Sequence, residues 1–351
     1  MKVSVSRDTL KAAVAPAAKI AQRAGTADLA CVLLDAKEGL AIEATDVNES
    51  SRCIVDALVD EPGCAMISAK MLSSIVGKLP DAAVEIEAGP ASAVVRCGGA
   101  VYNVASLDPS RFPRFSAVQG GGSFSMSAAV LGSLFKQAAA FASRAASKPV
   151  LQGVLVEAGD GALKLTATDT YHAIVYEAAA DTDGEVSAVM PAGFLSDIAK
   201  CPGRATVRVS GGKAIVEAEG MAMVTRLVEG QYPPFERVMQ TEFDAAATFA
   251  VDDLAVALDR SMFADAVGAV EIACEGGTAT VEGFAKDAGS FAEGVPCDGA
   301  VSIVCSPALL RRAVTSVGGG KVEIKTSGKL KPITVAGALG RAIVMPMRPS
   351  N

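Results

Sequence analysis

The sequence predicts an α+β fold built three times from one design. Three observations lead there: a long-period internal repeat, helical stripes that start at cap residues, and short strands alternating with period two. The repeat is the strongest. Gly39-Leu40-Ala41-Ile42-Glu43-Ala44-Thr45-Asp46 returns as Gly161-Ala162-Leu163-Lys164-Leu165-Thr166-Ala167-Thr168-Asp169, and the two Asp residues lie 123 positions apart. Leu72-Ser73 returns as Leu195-Ser196 at that offset, and Phe112-Pro113-Arg114-Phe115 returns as Tyr232-Pro233-Pro234-Phe235 at 120. A period this long means one domain design reused. The chain of 351 residues has room for a third copy after Phe243. The expected domains are 1–120, 124–244 and 247–351, with Gly120-Gly121-Gly122-Ser123 as a flexible join between the first two.

Each copy carries two helices. In the first, Ser6 caps a helix to about Ala21 with Leu10, Val14, Ala17 and Ile20 on one face; Pro16 should bend or break it. Ser68 caps the second, with Leu72, Ile75, Val76 and Leu79 inward and Pro80 as its end. In the middle copy Ser127 caps a helix striped by Leu131, Leu134, Phe135 and Ala138, and a shorter helix follows Pro191 with Phe194, Leu195 and Ile198 inward. In the last copy Asp252 caps a helix with Leu254, Leu258 and Met262. Ser306-Pro307 opens another, with Leu310, Ala313, Val314 and Val317 inward and Arg311, Arg312 and Thr315 outward. Leu163–Thr166, Thr206–Val209 and Lys321–Lys325 alternate as strands, and Gly211-Gly212 reads as a hairpin turn.

Composition narrows the function. Half the residues are hydrophobic while Trp is absent, so Ala and Val must fill the cores. Met1–Arg7 alternates like a strand and lacks a signal peptide's apolar stretch, and no run reaches the roughly 18 apolar residues of a membrane span. A cytoplasmic protein is expected. Eight scattered Cys without C-x-x-C or neighbouring His read as buried or incidental thiols, not as a zinc or disulfide framework. No metal or cofactor is expected.

The charge is unevenly placed. The net charge is −7, yet the six predicted helices carry eleven basic side chains against five acidic ones. A positive surface shared by the helices fits that bias, and a polyanion is the natural partner. Geometry adds a constraint. Domains of about 117 residues are roughly 35 Å across; six in a ring leave a hole of roughly 35 Å, three leave only about 5 Å. Duplex DNA is roughly 20 Å across. Two chains of three copies could encircle it; one could not.

At this point the chain resembles the bacterial DNA sliding clamps, the beta subunits of the replicative DNA polymerase. Leu107-Asp108-Pro109-Ser110-Arg111-Phe112-Pro113 closes the first copy, Arg226-Leu227-Val228-Glu229-Gly230-Gln231-Tyr232-Pro233-Pro234-Phe235-Glu236-Arg237-Val238 closes the second, and Ile343-Val344-Met345-Pro346-Met347-Arg348 forms the tail. The resemblance implies a head-to-tail homodimeric ring with inner helices on double-stranded DNA, held without reading sequence, and outer antiparallel sheets. It implies a processivity factor for DNA replication rather than an enzyme, tethering the clamp loader and the polymerase catalytic subunit through short linear peptides. DNA-facing residues are then expected at Lys19, Arg23, Lys70, Lys78, Lys136, Arg144, Lys200, Arg311 and Arg312.

The resemblance further implies a peptide groove between the second and third copies. It would comprise Leu151, Thr168, Thr170, Tyr171, His172, Pro233, Arg237 and Val238, with Leu330, Pro332, Val344, Met345, Pro346, Met347 and Arg348. For the dimer contact it implies Tyr102 and Val104 meeting Met262 and Phe263 of the second copy of the chain. There are departures from the family's pattern. Thr170-Tyr171-His172-Ala173 stands where Gly-His-Arg-Leu is usual, and Pro349 replaces a terminal Leu, with Ser350 and Asn351 beyond it.

A three-domain α+β enzyme acting on nucleotides or another anionic substrate is the alternative. His172 is the only His, so a Ser-His-Asp triad could form only there. Asp46 and Asp169, at equivalent repeat positions, read as starting the same turn twice rather than as a catalytic carboxylate pair. Gly318-Gly319-Gly320-Lys321 lacks phosphate-loop spacing and reads as a hairpin-like turn.

Overall fold

The structure, a computed structural model, describes residues 1–234, 239–263, 268–285 and 289–348. It divides into two compact units, Met1–Gly132 with Phe194–Leu227, and Ser133–Gly193 with Val228–Asn351. Arg237 and Val238 of the expected groove, and the tail residues Pro349, Ser350 and Asn351, lie outside the described residues.

In the first unit, helix α1 (Arg7–Ala21) starts where Ser6 Oγ accepts from the Thr9 N–H at 3.1 Å. It buries Leu10, Val14, Ala17 and Ile20 and runs through Pro16 without ending there. Pro16 lies on the buried face, so packing outweighs the lost hydrogen bond. Helix α2 (Ala69–Val76) is capped by Ser68 and stops at Gly77, short of the expected Pro80, which leaves Lys78 and Leu79 in the following turn. The sheet is antiparallel throughout. Its strands follow the order Gly122–Ser127, Arg204–Ser210, Lys213–Ala218, Met221–Arg226, Glu49–Val55, Leu40–Thr45, Cys31–Ala36, Gly63–Ser68, Ala100–Leu107, Ser92–Cys97, Ala83–Ala88, Lys2–Ser6 and Leu58–Glu61. Gly211-Gly212 turns the hairpin at the Ser210–Lys213 pair, as read from sequence. The glycines near 120 do more than join. A Cβ on Gly121 would collide with the Val209 carbonyl, and Gly122 already begins a strand.

Helix α3 (Ala128–Ala139) buries the expected Leu131, Leu134, Phe135 and Ala138. The segment read as a short helix after Pro191 is a 3-10 turn, Leu195–Lys200, with no side-chain cap. Without a cap and with only six residues, it cannot recover the cost of starting an α-helix.

The second unit holds another antiparallel sheet, in the order Val186–Pro191, Gly153–Gly159, Ala162–Thr168, His172–Ala179, Gly340–Val344, Ile333–Ala336, Lys321–Thr326, Ala245–Ala250, Gly289–Ala300, Thr278–Ala285, Val270–Glu275 and Ser302–Cys305. Helix α4 (Val251–Ser261) has Ala250, not Asp252, at its N-cap; Asp252 and Asp253 occupy the first turn, where the helix dipole favours them. Helix α5 (Pro307–Ser316) begins at Ser306-Pro307 and packs on α4. Gly318–Gly320 leads from α5 into the strand Lys321–Thr326, so it links a helix to a strand instead of turning a hairpin. With these bounds the six segments expected as helices carry nine basic and five acidic side chains; Lys78 and Arg144 fall beyond them.

Candidate functional site

Two turns of the same construction occupy the equivalent repeat positions at Asp46 and Asp169. In the first unit the Asp46 carboxylate accepts from the backbone N–H groups of Asn48 (3.0 Å) and Glu49 (2.7 Å). Thr45 Oγ1 donates to the Glu49 carbonyl and accepts from the Val47 N–H. In the second unit Asp169 accepts from Tyr171 and His172, both at 2.9 Å, while Thr168 Oγ1 donates to the His172 carbonyl and accepts from the Thr170 N–H. Each turn forces its second residue to positive φ, 81° at Val47 and 82° at Thr170. Both Asp residues therefore initiate turns, as the sequence indicated.

The second of these turns gathers most of the expected groove. The strand His172–Ala179 pairs with Gly340–Val344, and His172 lies opposite Val344. Beyond Val344 the tail is pinned residue by residue: the Met345 N–H donates to the Tyr171 carbonyl, Pro346 bridges Cys305, and the Met347 N–H donates to the Val304 carbonyl. This leaves Tyr171, Leu330, Met345 and Met347 as exposed apolar groups at 66%, 67%, 37% and 37%. Leu330 and Met347 line a pocket of about 280 Å³ with Ile303 and Val304. Pro332 is half-buried beside Ile333, which pairs with Val344, while Pro233 and Arg348 are exposed. Leu151 is buried in a small cluster with Val189 and Tyr232.

Tyr232 is a site residue that the sequence reading left out of the groove. Its hydroxyl accepts from the Thr168 N–H at 3.1 Å and so fixes the residue that leads into the turn. Burial pushes its phenol up to about 12, against the opposing pull of that N–H, so it stays neutral. The signal was available: the repeat places Phe112 at the equivalent position, and the added hydroxyl needs a partner.

His172 is 2% exposed and does structural work beneath the groove. Its Nδ1 lies 2.7 Å from Asp169 Oδ1, its Nε2 lies 3.2 Å from Arg312 Nη1, and its ring sits 4.5 Å from that of Phe141. A guanidinium only donates, so Nε2 must accept and Nδ1 must carry the proton given to Asp169. Burial alone would raise the Asp169 pKa. The hydrogen bonds from the His172 ring and from the backbone of His172 and Tyr171 outweigh it and hold the carboxyl below its ordinary range. Arg312 also donates to the Ala140 carbonyl at 3.0 Å, so its guanidinium is anchored rather than simply facing out.

The expected DNA-facing cations differ in how far they are committed. Lys19 pairs with Asp197 at 2.5 Å, Arg23 with Asp46 at 3.1 Å and with Glu49, and Arg311 with Asp259. Lys70 on α2, Lys78 just past it, Lys136 on α3, Arg144 beyond α3 and Lys200 at the end of the 3-10 turn are exposed and form no ion pair among the described residues.

Of the expected dimer residues, Tyr102 and Val104 lie on a strand with an open backbone edge, while the Val104 side chain is buried in the core of the first unit. Tyr102 and Val104 sit on Ala100–Leu107, which pairs with Ser92–Cys97 along residues 100–105 but touches Gly63–Ser68 only through Ser106 and Leu107. Met262 closes the C-terminus of α4, and Phe263 after it is 45% exposed.

All eight Cys are free, and burial pushes the Cys53 and Cys305 thiols up to about 12. Among the described residues no cluster of three or more His, Cys, Asp or Glu is arranged to hold a metal, and no helix is long and apolar enough to cross a membrane.

Comparison with known proteins decides the family. Residues 1–116 match the N-terminal domain of the DNA polymerase III beta subunit, and residues 125–234 match its central domain. The chain belongs to the bacterial beta sliding clamps. Its function is that of a processivity clamp in DNA replication. The beta sliding clamp of Streptomyces coelicolor is 28% identical over 354 residues, covering 96% of this chain and 94% of that one. The crystal structure of the Thermotoga maritima beta subunit shares the fold at a TM-score of 0.91 and 20% identity, over 99% of this clamp and 100% of that chain. The Helicobacter pylori beta clamp, solved bound to a DNA ligase peptide, matches at 0.89 and 18% over the same shares.

Proposed function

We propose that two copies of this clamp close head to tail into a ring around duplex DNA. One observation carries the reading: the repeats join through their sheet edges in the same way twice. Met221–Arg226 pairs with Glu49–Val55, and Gly340–Val344 pairs with His172–Ala179. Ala100–Leu107 is the third member of that series. The last residues of the three strands, Leu107, Arg226 and Val344, are 119 and 118 positions apart. By the repeat, its partner is the strand corresponding to Glu49–Val55 and His172–Ala179, which is the first part of Gly289–Ala300. Residues 289–296 pair with Thr278–Ala285 on one side and have no ladder partner on the other among the described residues. Both edges that the repeat leaves over are thus open, and a second copy satisfies them. Tyr102, Val104, Met262 and Phe263 belong to this contact.

Three domains, as bounded above, make up each half of the ring. Lys70, Lys78, Lys136, Arg144 and Lys200 supply cations, unpaired among the described residues, to the DNA backbone, and the ion-paired Lys19, Arg23 and Arg311, with the hydrogen-bonded Arg312, complete the DNA-facing set. Cations that meet phosphate without reading bases permit sliding. The apolar groups around Met345 and Met347 take short linear peptides of the clamp loader and the polymerase catalytic subunit; Met side chains adapt to more than one sequence. The H. pylori clamp with its ligase peptide supports that use. The clamp acts in the cytoplasm and without catalysis of its own. His172 Nε2 already accepts from Arg312, so this imidazole holds the turn in place and is not open to a substrate. Sedimentation equilibrium tests the ring: a species of twice 35.5 kDa is expected, and a monomer at micromolar concentration overturns it.

A further inference from the structure

The first unit holds a second pocket, built on the Asp46 turn as the candidate groove is built on the Asp169 turn, but with different chemistry. It measures about 270 Å³ and is lined by Val47, Pro113 and Val224 together with Arg114, Lys213 and Arg226. Lys213 and Arg226 are directly opposite in their antiparallel pair, so their side chains share one face. Like charges in that register repel, and neither residue has an ion-pair partner among the described residues. The carboxylates of the turn do not compensate them, because Asp46 and Glu49 are both held by Arg23. Arg114 is fixed against Asp35 at 2.9 Å and brings a third cation to the pocket. Val47, a β-branched residue at φ 81° and 62% exposed, is held in a conformation such residues avoid. The Arg226 N–H fastens the same loop through the Asn48 carbonyl at 2.9 Å.

We propose that this pocket is a second docking site, for a short acidic peptide segment of a partner that carries an apolar anchor residue. The two uncompensated cations call for carboxylates, and the Val47, Pro113 and Val224 lining calls for an apolar side chain. A nucleic-acid backbone meets the first demand and not the second. The site differs from the Met345–Met347 surface in charge, so the two surfaces select different partners on one clamp.

The test uses the full chain and a fluorescein-labelled eight-residue peptide of alternating Glu and Leu, read by fluorescence anisotropy. Its Lys-Leu counterpart and a labelled eight-nucleotide oligothymidylate serve as comparisons. The Glu-Leu peptide should bind, and the Lys-Leu peptide should not. Binding should weaken about tenfold in the exposed, fold-neutral double variant Lys213→Gln, Arg226→Gln, and should fall steeply with salt. It should persist in Met345→Ala, Met347→Ala. Carbodiimide should couple a peptide carboxylate to Lys213, located by mass spectrometry. Absence of binding, binding that ignores the Lys213/Arg226 pair, or loss confined to the Met variant overturns the proposal. Oligothymidylate bound in preference through Lys213 and Arg226 replaces the peptide reading with a nucleic-acid one.

Discussion

Replacing His172 with Phe separates what the imidazole contributes by shape from what it contributes by hydrogen bonding. The ring is 2% exposed and packs 4.5 Å from Phe141, so Phe keeps most of the packing. It removes the bond to the Asp169 carboxylate and the acceptor for Arg312. A hydrogen bond to a charged group contributes about 1.5–3 kcal/mol, and the Arg312 bond adds little because Arg312 is exposed and keeps the Ala140 carbonyl. The expected loss is about 2–3 kcal/mol. For a cooperative unit of this size that is a fall in Tm of roughly 4–12 °C. His172→Ala also empties the ring site and should cost about 2 kcal/mol more. Differential scanning calorimetry at neutral pH follows both variants, and hydrogen exchange at the Tyr171 and His172 amides reports whether the turn loosens. If His172→Phe melts within 1 °C of the parent while His172→Ala falls steeply, the ring matters for volume alone and the Asp169–His172–Arg312 chain has no energetic role.

Asp169→Asn should be less stable than the parent at neutral pH, and the gap should close as pH falls. The folded carboxyl titrates below its ordinary value of about 3.9, so its stabilisation is complete above that value and is lost as pH drops through the folded one; a gap that widens in acid refutes this. Gly132→Ala should destabilise by about 1–3 kcal/mol despite better helix propensity, because the new Cβ would meet the Ala199 Cα at 2.7 Å and the backbone cannot yield cheaply; urea unfolding checks it. Tyr102→Asp should weaken the proposed dimer about tenfold or more in sedimentation equilibrium, by placing a charge where the partner strand joins.

Much of the fold could be read in the sequence because its signals are local. Ser6 and Ser68 cap helices where expected, Ser306-Pro307 opens one, and the alternating runs at Leu163, Thr206 and Lys321 are strands. The differences arose where tertiary packing overrode local preference, at Pro16, and where a short uncapped segment could not sustain an α-helix. Pro16 stays inside α1 because its face is buried, and Leu195–Lys200 tightens to a 3-10 turn where propensity suggested a helix. At the candidate groove, the repeat located the Asp169 turn, but nothing local indicated that Arg312, 140 residues away, would meet His172. The ion pairs of Lys19 and Arg23 were equally invisible, because spacing along the chain does not report which carboxylates fold back onto a helix end. The Lys213–Arg226 juxtaposition was hidden for the same reason: it exists only in the register of a strand pair.

The most direct measurement of the clamp's central property is its retention on DNA of different topology. Loaded onto nicked circular duplex, the protein should remain through gel filtration, and it should leave within minutes once the same circle is cut to a linear form. Equal retention on circular and linear DNA, or none on either, would contradict a ring that holds DNA by enclosing it.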